Sequence, residues 1–173
     1  MFLSQTHPNR LFAILLAVLL TACSDSGNDA ISKETELQQS NSPILEVYKK
    51  ASCGCCRKWM SHLEKNGFQT ISYNVNDLVT FKTDRNIQPQ YQSCHTAISK
   101  EGYIFEGHIP AKVIHQFLRE RPEGTIGLSV PGMPLGSPGM EAGDNFRPYT
   151  VLLLNSDGSH KPYVQINSRR EQE

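Results

Sequence analysis

The sequence predicts an α/β domain of order β-α-β-α-β-β-α, and three patterns carry that reading. Short runs rich in β-branched and aromatic residues are bounded by Gly, Pro and Asn. Between them lie segments whose apolar residues recur at helical spacing. Two Gly-containing turns, Lys100-Glu101-Gly102 and Asp157-Gly158, separate strand-like runs as hairpin turns do. In chain order, Ile44-Leu45-Glu46-Val47-Tyr48 reads as the first strand. Cys56, Trp59, Met60, Leu63 and Gly67 then recur at helical spacing, with Arg57, Lys58, Glu64 and Lys65 elsewhere on the wheel. Asn66-Gly67 is a helix stop. Phe68 to Val75 reads as a second strand, and Asp77 is placed to cap a short helix over Leu78, Phe81 and Lys82. Pro89 ends that segment. Thr96 to Ser99 and Tyr103 to Glu106 are the third and fourth strands. Pro110 suits the first position of a last helix whose apolar face is Val113, Ile114, Phe117 and Leu118. Residues 122–148 are rich in Gly and Pro and read as an irregular loop. Tyr149 to Leu154 and Pro162 to Ile166 read as an added C-terminal β-hairpin, and Arg169 to Glu173 as a frayed end.

The chain has 173 residues, enough for one domain with a tail. At 38% hydrophobic and 20% charged it is too apolar to be wholly disordered. Lys plus Arg (17) balance Asp plus Glu (17), which argues against a nucleic-acid coat or a polybasic membrane binder. Leu11 to Leu20 is almost purely aliphatic. At 1.5 Å per residue it is too short for a hydrocarbon core of about 30 Å, and it has the length of a signal-peptide core. Leu20-Thr21-Ala22-Cys23 follows and resembles the bacterial lipobox. The resemblance implies a lipoprotein signal peptide over 1–22, cleavage before Cys23 and lipidation of Cys23. Ser24, rather than Asp, then favours the outer membrane. Residues 23–42 are mostly polar and read as a flexible tether to a domain over 43–168. The expected location is the bacterial envelope, with the domain facing the periplasm and touching the membrane only through its anchor.

The element order, with cysteines between the first strand and the first helix, resembles the thioredoxin fold over roughly residues 44–120. In that fold the loop before the third strand faces the N-terminus of the first helix. Cys94 would then meet Cys53, Cys55 and Cys56 at one spot. Free N–H groups and the positive helix end there favour thiolates, so the thiol pKa values are expected below about 8.5. Three chemistries suit such a set. Structural disulfides are one, with Cys53 paired to Cys56 and Cys55 reaching Cys94. Thiol–disulfide exchange is another, since Cys53-Gly54-Cys55-Cys56 contains a C-x-x-C. There, Cys55 and Cys94 would compete for any mixed disulfide. The third is metal. Soft thiolates select Cu(I), Zn(II) or iron–sulfur clusters. Adjacent ligands on one tetrahedral zinc are awkward. Four thiolates on one Zn(II) leave two negative charges, whereas several Cu(I) ions bridged by shared sulfurs neutralise the set. A polynuclear Cu(I) site on Cys53, Cys55, Cys56 and Cys94 is favoured.

Four further residues are auxiliary candidates. His95 follows Cys94, and strand alternation argues against both binding one ion. His108 opens the last helix. Met133 and Met140 lie in Pro-Gly-Met-Pro and Pro-Gly-Met-Glu, where thioethers in a stiff loop suit a lid over Cu(I); core filling is the competing reading. Trp59 and Met60 read as core, His62 as surface or packing, and His115 and His160 as solvated.

Cys53-Gly54-Cys55-Cys56 with Trp59, Ser93-Cys94-His95-Thr96-Ala97, Glu106-Gly107-His108-Ile109-Pro110-Ala111, Val130-Pro131-Gly132-Met133-Pro134 and Gly136-Ser137-Pro138-Gly139-Met140-Glu141 together resemble the CopG family of periplasmic copper-resistance proteins. The likeness covers about residues 44–142. It implies a cysteine-bridged copper cluster in a thioredoxin-like domain, with Cys53, Cys55, Cys56 and Cys94 as ligands. It further implies a part in copper resistance by sequestration, by transfer to other envelope copper-handling proteins, or by Cu(I)/Cu(II) interconversion. The lipobox and the hairpin at 149–166 are not carried over from that family.

Overall fold

The computed structural model describes residues 42–173. The expected signal peptide, the expected lipidation site Cys23 and the expected tether up to residue 41 lie outside the described residues. The expected elements are all present: β1 (Ile44–Lys49), α1 (Gly54–Lys65), β2 (Gln69–Asn74), α2 (Leu78–Thr83), β3 (His95–Ser99), β4 (Ile104–Glu106) and α3 (Ala111–Glu120). The Asp77 carboxylate accepts the Thr80 N–H at 3.0 Å and so caps α2 as the sequence suggests. A short 3-10 turn, Pro89–Tyr91, leads into β3.

The loop expectation fails. The Gly/Pro-rich stretch is not wholly irregular, because it holds a strand, β5 (Thr125–Ser129). β5 pairs parallel with β4 and antiparallel with β6 (Tyr149–Asn155), which pairs in turn with β7 (His160–Ile166). The C-terminal hairpin is therefore no appendage but the continuation of a single seven-stranded sheet, ordered β2-β1-β3-β4-β5-β6-β7. Ile126 and Leu128 pack in different clusters because the β5–β6 register shifts between Thr125 and Gly127, so the strand has no clean alternation, and flanking Gly and Pro obscure it further. Gly127 is required there: a Cβ on it would lie 1.8 Å from the Ile104 carbonyl oxygen. The chain end is not frayed either. Gln172 is buried, with its amide nitrogen donating to Gly136 O at 2.9 Å and its oxygen accepting from Tyr149 Oη at 2.9 Å.

Both parallel pairs need crossovers, and helices supply them: α1 between β1 and β2, and α3 between β4 and β5. Trp59 and Leu63 of α1 and Val113, Ile114 and Phe117 of α3 share one core with Leu45, Val47, Ala97, Phe105, Leu128 and Val151 of the sheet. The period-2 alternation sends Ile104 and Leu154 into a separate cluster with Ile87 and Tyr91, beneath the segment that leads to Cys94. The core readings for Trp59 and Met60 hold: Trp59 is fully buried with Nε1 donating to Ile109 O at 2.9 Å, and Met60 packs on the same core.

Candidate metal centre

Two ends meet at this site. β1 runs out at Lys49, and a short turn places Cys53 as the N-cap of α1, its sulfur 3.3 Å from the Cys56 N–H. β3 runs antiparallel to β1 with His95 opposite Lys49. Cys94, one residue before β3, therefore lies over the turn that starts α1. The Sγ atoms of Cys53, Cys55, Cys56 and Cys94 all lie within 4.8 Å of one another. Cys94 Sγ is 3.7 Å from Cys56 Sγ and 4.0 Å from Cys55 Sγ, and Cys55 Sγ is 3.5 Å from Cys53 Sγ. Cys53 and Cys56 are joined as a disulfide; Cys55 and Cys94 are free thiols. A cavity of about 340 Å³ opens beside Cys53 and Cys94, walled by Lys50, Ser52, Leu78 and Val79. A second cavity, of about 470 Å³ between Pro43, Lys100, His115 and Arg121, is lined by no cysteine.

The expected lowering of thiol pKa fails at Cys94. Burial first, then the neighbouring Cys55, push it up to about 12. The helix end faces the CxCC segment, whereas Cys94 comes from a loop into a partly buried position already beside sulfur. Its thiolate needs a cation beside it.

Strand alternation also misleads for His95. Cys94 precedes the strand, so the rule does not apply to the pair, and His95 Nδ1 lies 3.1 Å from Cys94 Sγ. The His95 ring is fully buried, packs 4.2 Å from the Trp59 ring, and leaves Nε2 with no hydrogen-bond partner. His108 approaches the same sulfur, its Nε2 3.0 Å away. Its Nδ1 lies 2.7 Å from Pro138 O, so Nδ1 carries the proton and donates, leaving the Nε2 lone pair turned to Cys94. The Gly/Pro loop thus orients His108. It also rests on α1: a Cβ on Gly139, at φ +85°, would stand 2.7 Å from Cys55 O and 2.8 Å from Trp59 N. Gly139→Ala is expected to cost roughly 1–3 kcal/mol through this clash and the strained backbone. Urea unfolding of the variant checks it. Of the two loop methionines, Met133 is 51% exposed and Met140 is half-buried. Met133 adjoins Gly132, which bridges to Ser93.

Sequence reasoning missed a buried ion pair that sets the Cys94 loop. Lys82 of α2 and Glu106 of β4 are 2% and 0% exposed and in direct contact. Lys82 Nζ also donates to Ser93 O at 2.7 Å. Glu106 accepts from Ser93 N and from Thr96 Oγ1, both at 2.6 Å. Burial raises the Glu106 carboxyl above its usual range, and the Lys82 ammonium opposes that. The available signal was a Glu ending the apolar run Tyr103-Ile104-Phe105. His62 has more than a surface role, since its Nε2 accepts the Ala111 N–H at 3.0 Å at the start of α3. His115 and His160 make outer contacts, with Asn66 O and Tyr91 Oη.

Burial holds His62, His95 and His108 below the ordinary histidine value, His95 well below it. Folding therefore favours their neutral forms, while the unfolded chain takes up protons near pH 6.5. The stability they contribute is complete above that pH and is lost as pH falls below it. Urea midpoints of metal-free protein at pH 7.5, 6.5 and 5.5 should fall in that order. A flat profile would contradict the burial argument.

No curated protein matches the chain. A family model described as a protein of unknown function, DUF411, matches residues 91–140, which span Cys94, His95, His108 and the Gly/Pro loop. Two solved structures are similar, both described as copper resistance protein CopG. Form 1 is 36% identical with a TM-score of 0.66 and covers 71% of this chain and 96% of its own. Form 2 is 38% identical with a TM-score of 0.67 and covers 72% and 98%. With sulfurs gathered as the motifs imply and identity at this level over most of the domain, the chain belongs to the CopG-like copper-resistance family.

Proposed function

We propose that this protein binds copper as cargo in copper resistance, holding several Cu(I) ions on Cys53, Cys55, Cys56 and Cys94 when the Cys53–Cys56 bridge is reduced. The observation that carries the reading is the gathering of four sulfurs within 4.8 Å at the start of α1. Such a donor set fits a soft, low-coordinate ion. Bridging sulfurs let several monovalent ions offset the charge of the thiolates. The raised Cys94 thiol supports the same view, because its proton leaves readily only when a cation replaces it. The anchor at Cys23 would hold this trap on the periplasmic side of the envelope, where its partners would be other envelope copper-handling proteins. Sequestration needs affinity alone; transfer or Cu(I)/Cu(II) interconversion needs in addition a partner at the cavity beside Cys53 and Cys94.

Anaerobic Cu(I) titration of the reduced chain, with copper and sulfur counted, tests this. More than one copper per chain is expected. One or fewer would defeat the cluster, and tight zinc in its place would point to a structural site.

A second reading rests on the Cys53–Cys56 disulfide at a helix N-terminus, which suits thiol–disulfide exchange. The double variant Cys55→Ser, Cys94→Ser separates the two. An exchanger working through Cys53 and Cys56 keeps much of its activity, whereas a copper cluster loses most of its metal.

A further inference from the structure

With the Cys53–Cys56 bridge closed, the sulfur quartet is not available as four ligands, yet a different donor set stays intact. The geometry points to an alternative mononuclear site on Cys94, His95 and His108, sharing Cys94 with the quartet, that takes one copper ion, Cu(II) included, in the disulfide form of the protein. The inference rests on the copper-binding reading above and adds a second, nitrogen-rich position to it.

Three observations converge. One donor atom from each of Cys94, His95 and His108 lies within 4.8 Å of the others, and the nitrogens that face the sulfur are His95 Nδ1 and His108 Nε2. His108 is fixed as a ligand rather than a donor, because its Nδ1–H donates to Pro138 O at 2.7 Å and leaves the Nε2 lone pair free, 3.0 Å from the sulfur. His95 is fully buried with an unpartnered Nε2, and its Nδ1 is 3.1 Å from the same sulfur. One thiolate with two imidazoles is a set that Cu(II) accepts, whereas the all-sulfur quartet favours Cu(I).

The site needs two adjustments. Metal–sulfur and metal–nitrogen bonds of about 2.3 and 2.0 Å put sulfur and nitrogen about 3.5 Å apart in a tetrahedral arrangement, so both contacts must open by about half an ångström. His95 must also carry its proton on Nε2 so that Nδ1 can bind. Uptake then releases the Cys94 proton to solvent, and no electron is exchanged.

The test uses the full-length chain with Cys23→Ser and Cys55→Ser and the Cys53–Cys56 bridge intact. Cys94 is then its one free thiol, and the quartet cannot form. Titration with Cu(II), and with Co(II) as a probe that the thiol does not reduce, should show one ion per chain with a sulfur-to-metal charge-transfer band. His108→Gln should weaken binding at least about tenfold. No uptake, uptake without that band, or uptake unchanged by His108→Gln would overturn the site. Should His108→Gln not fold, the near-isosteric Cys94→Ser decides: the band must vanish. A negative result leaves Cu(I) binding by the reduced quartet untouched, and failure of the quartet would not remove this site.

Discussion

Reducing the Cys53–Cys56 bridge is expected to raise the Cu(I) capacity of the chain from at most one ion to several. The bridged protein offers two free thiols, Cys55 and Cys94, whose sulfurs are 4.0 Å apart. Opening the bridge takes two electrons and two protons from a dithiol reductant, which leaves as its own disulfide. It adds two sulfurs already in place, one of them the N-cap of α1, where the helix end favours thiolate. The gain is large because the added ligands need little rearrangement. Competition against a chromogenic Cu(I) chelator, run on the bridged and the reduced protein, reads it directly. Equal capacity in the two forms would remove Cys53 and Cys56 from the ligand set. Capacity should also rise with pH, since each ion displaces protons from thiols, Cys94 among them.

Lys82→Met is expected to destabilise the domain by about 3–5 kcal/mol, the usual cost of leaving half of a buried ion pair uncompensated. Glu106 would keep a buried carboxylate with only Ser93 N and Thr96 Oγ1 as donors. The loss reaches the metal centre because Lys82 and Glu106 grip the Ser93 backbone on both sides, through its carbonyl oxygen and its N–H. Cys94 follows directly. Copper affinity of Lys82→Met should therefore fall together with its stability. The double variant Lys82→Met, Glu106→Leu removes both charges, and its stability should recover much of the loss. Its copper affinity should remain low, since neither grip on Ser93 returns. Urea unfolding and chelator competition on the three proteins check both halves. Full recovery of copper affinity in the double variant would show that the pair acts on stability alone.

Local sequence was enough for most elements. Ile44–Lys49, the helix behind Cys53, the Asp77 cap and the helix after Pro110 each have a periodic pattern with a boundary signal, and near-neighbour physics decides them. The sulfur set was legible for a similar reason. Three cysteines lie within four residues, and an antiparallel third strand brings the fourth to them. Pattern reading failed where a strand carries no clean periodicity. Thr125–Ser129 became a strand because β4 and β6 were there to pair with it, and Gly127 is a response to the Ile104 carbonyl rather than a break.

The residue types that carry the chemistry, and the segments that bear them, are written in the linear chain. Folding in three dimensions adds that Cys53 pairs with Cys56, that the Cys94 thiol is raised rather than lowered, that His95 and His108 converge on one sulfur, and that Lys82 reaches Glu106. The physical reason is common to all four. Ligand distances, burial and charge pairing depend on groups far apart in the chain, and no local pattern encodes how closely the fold will press them together.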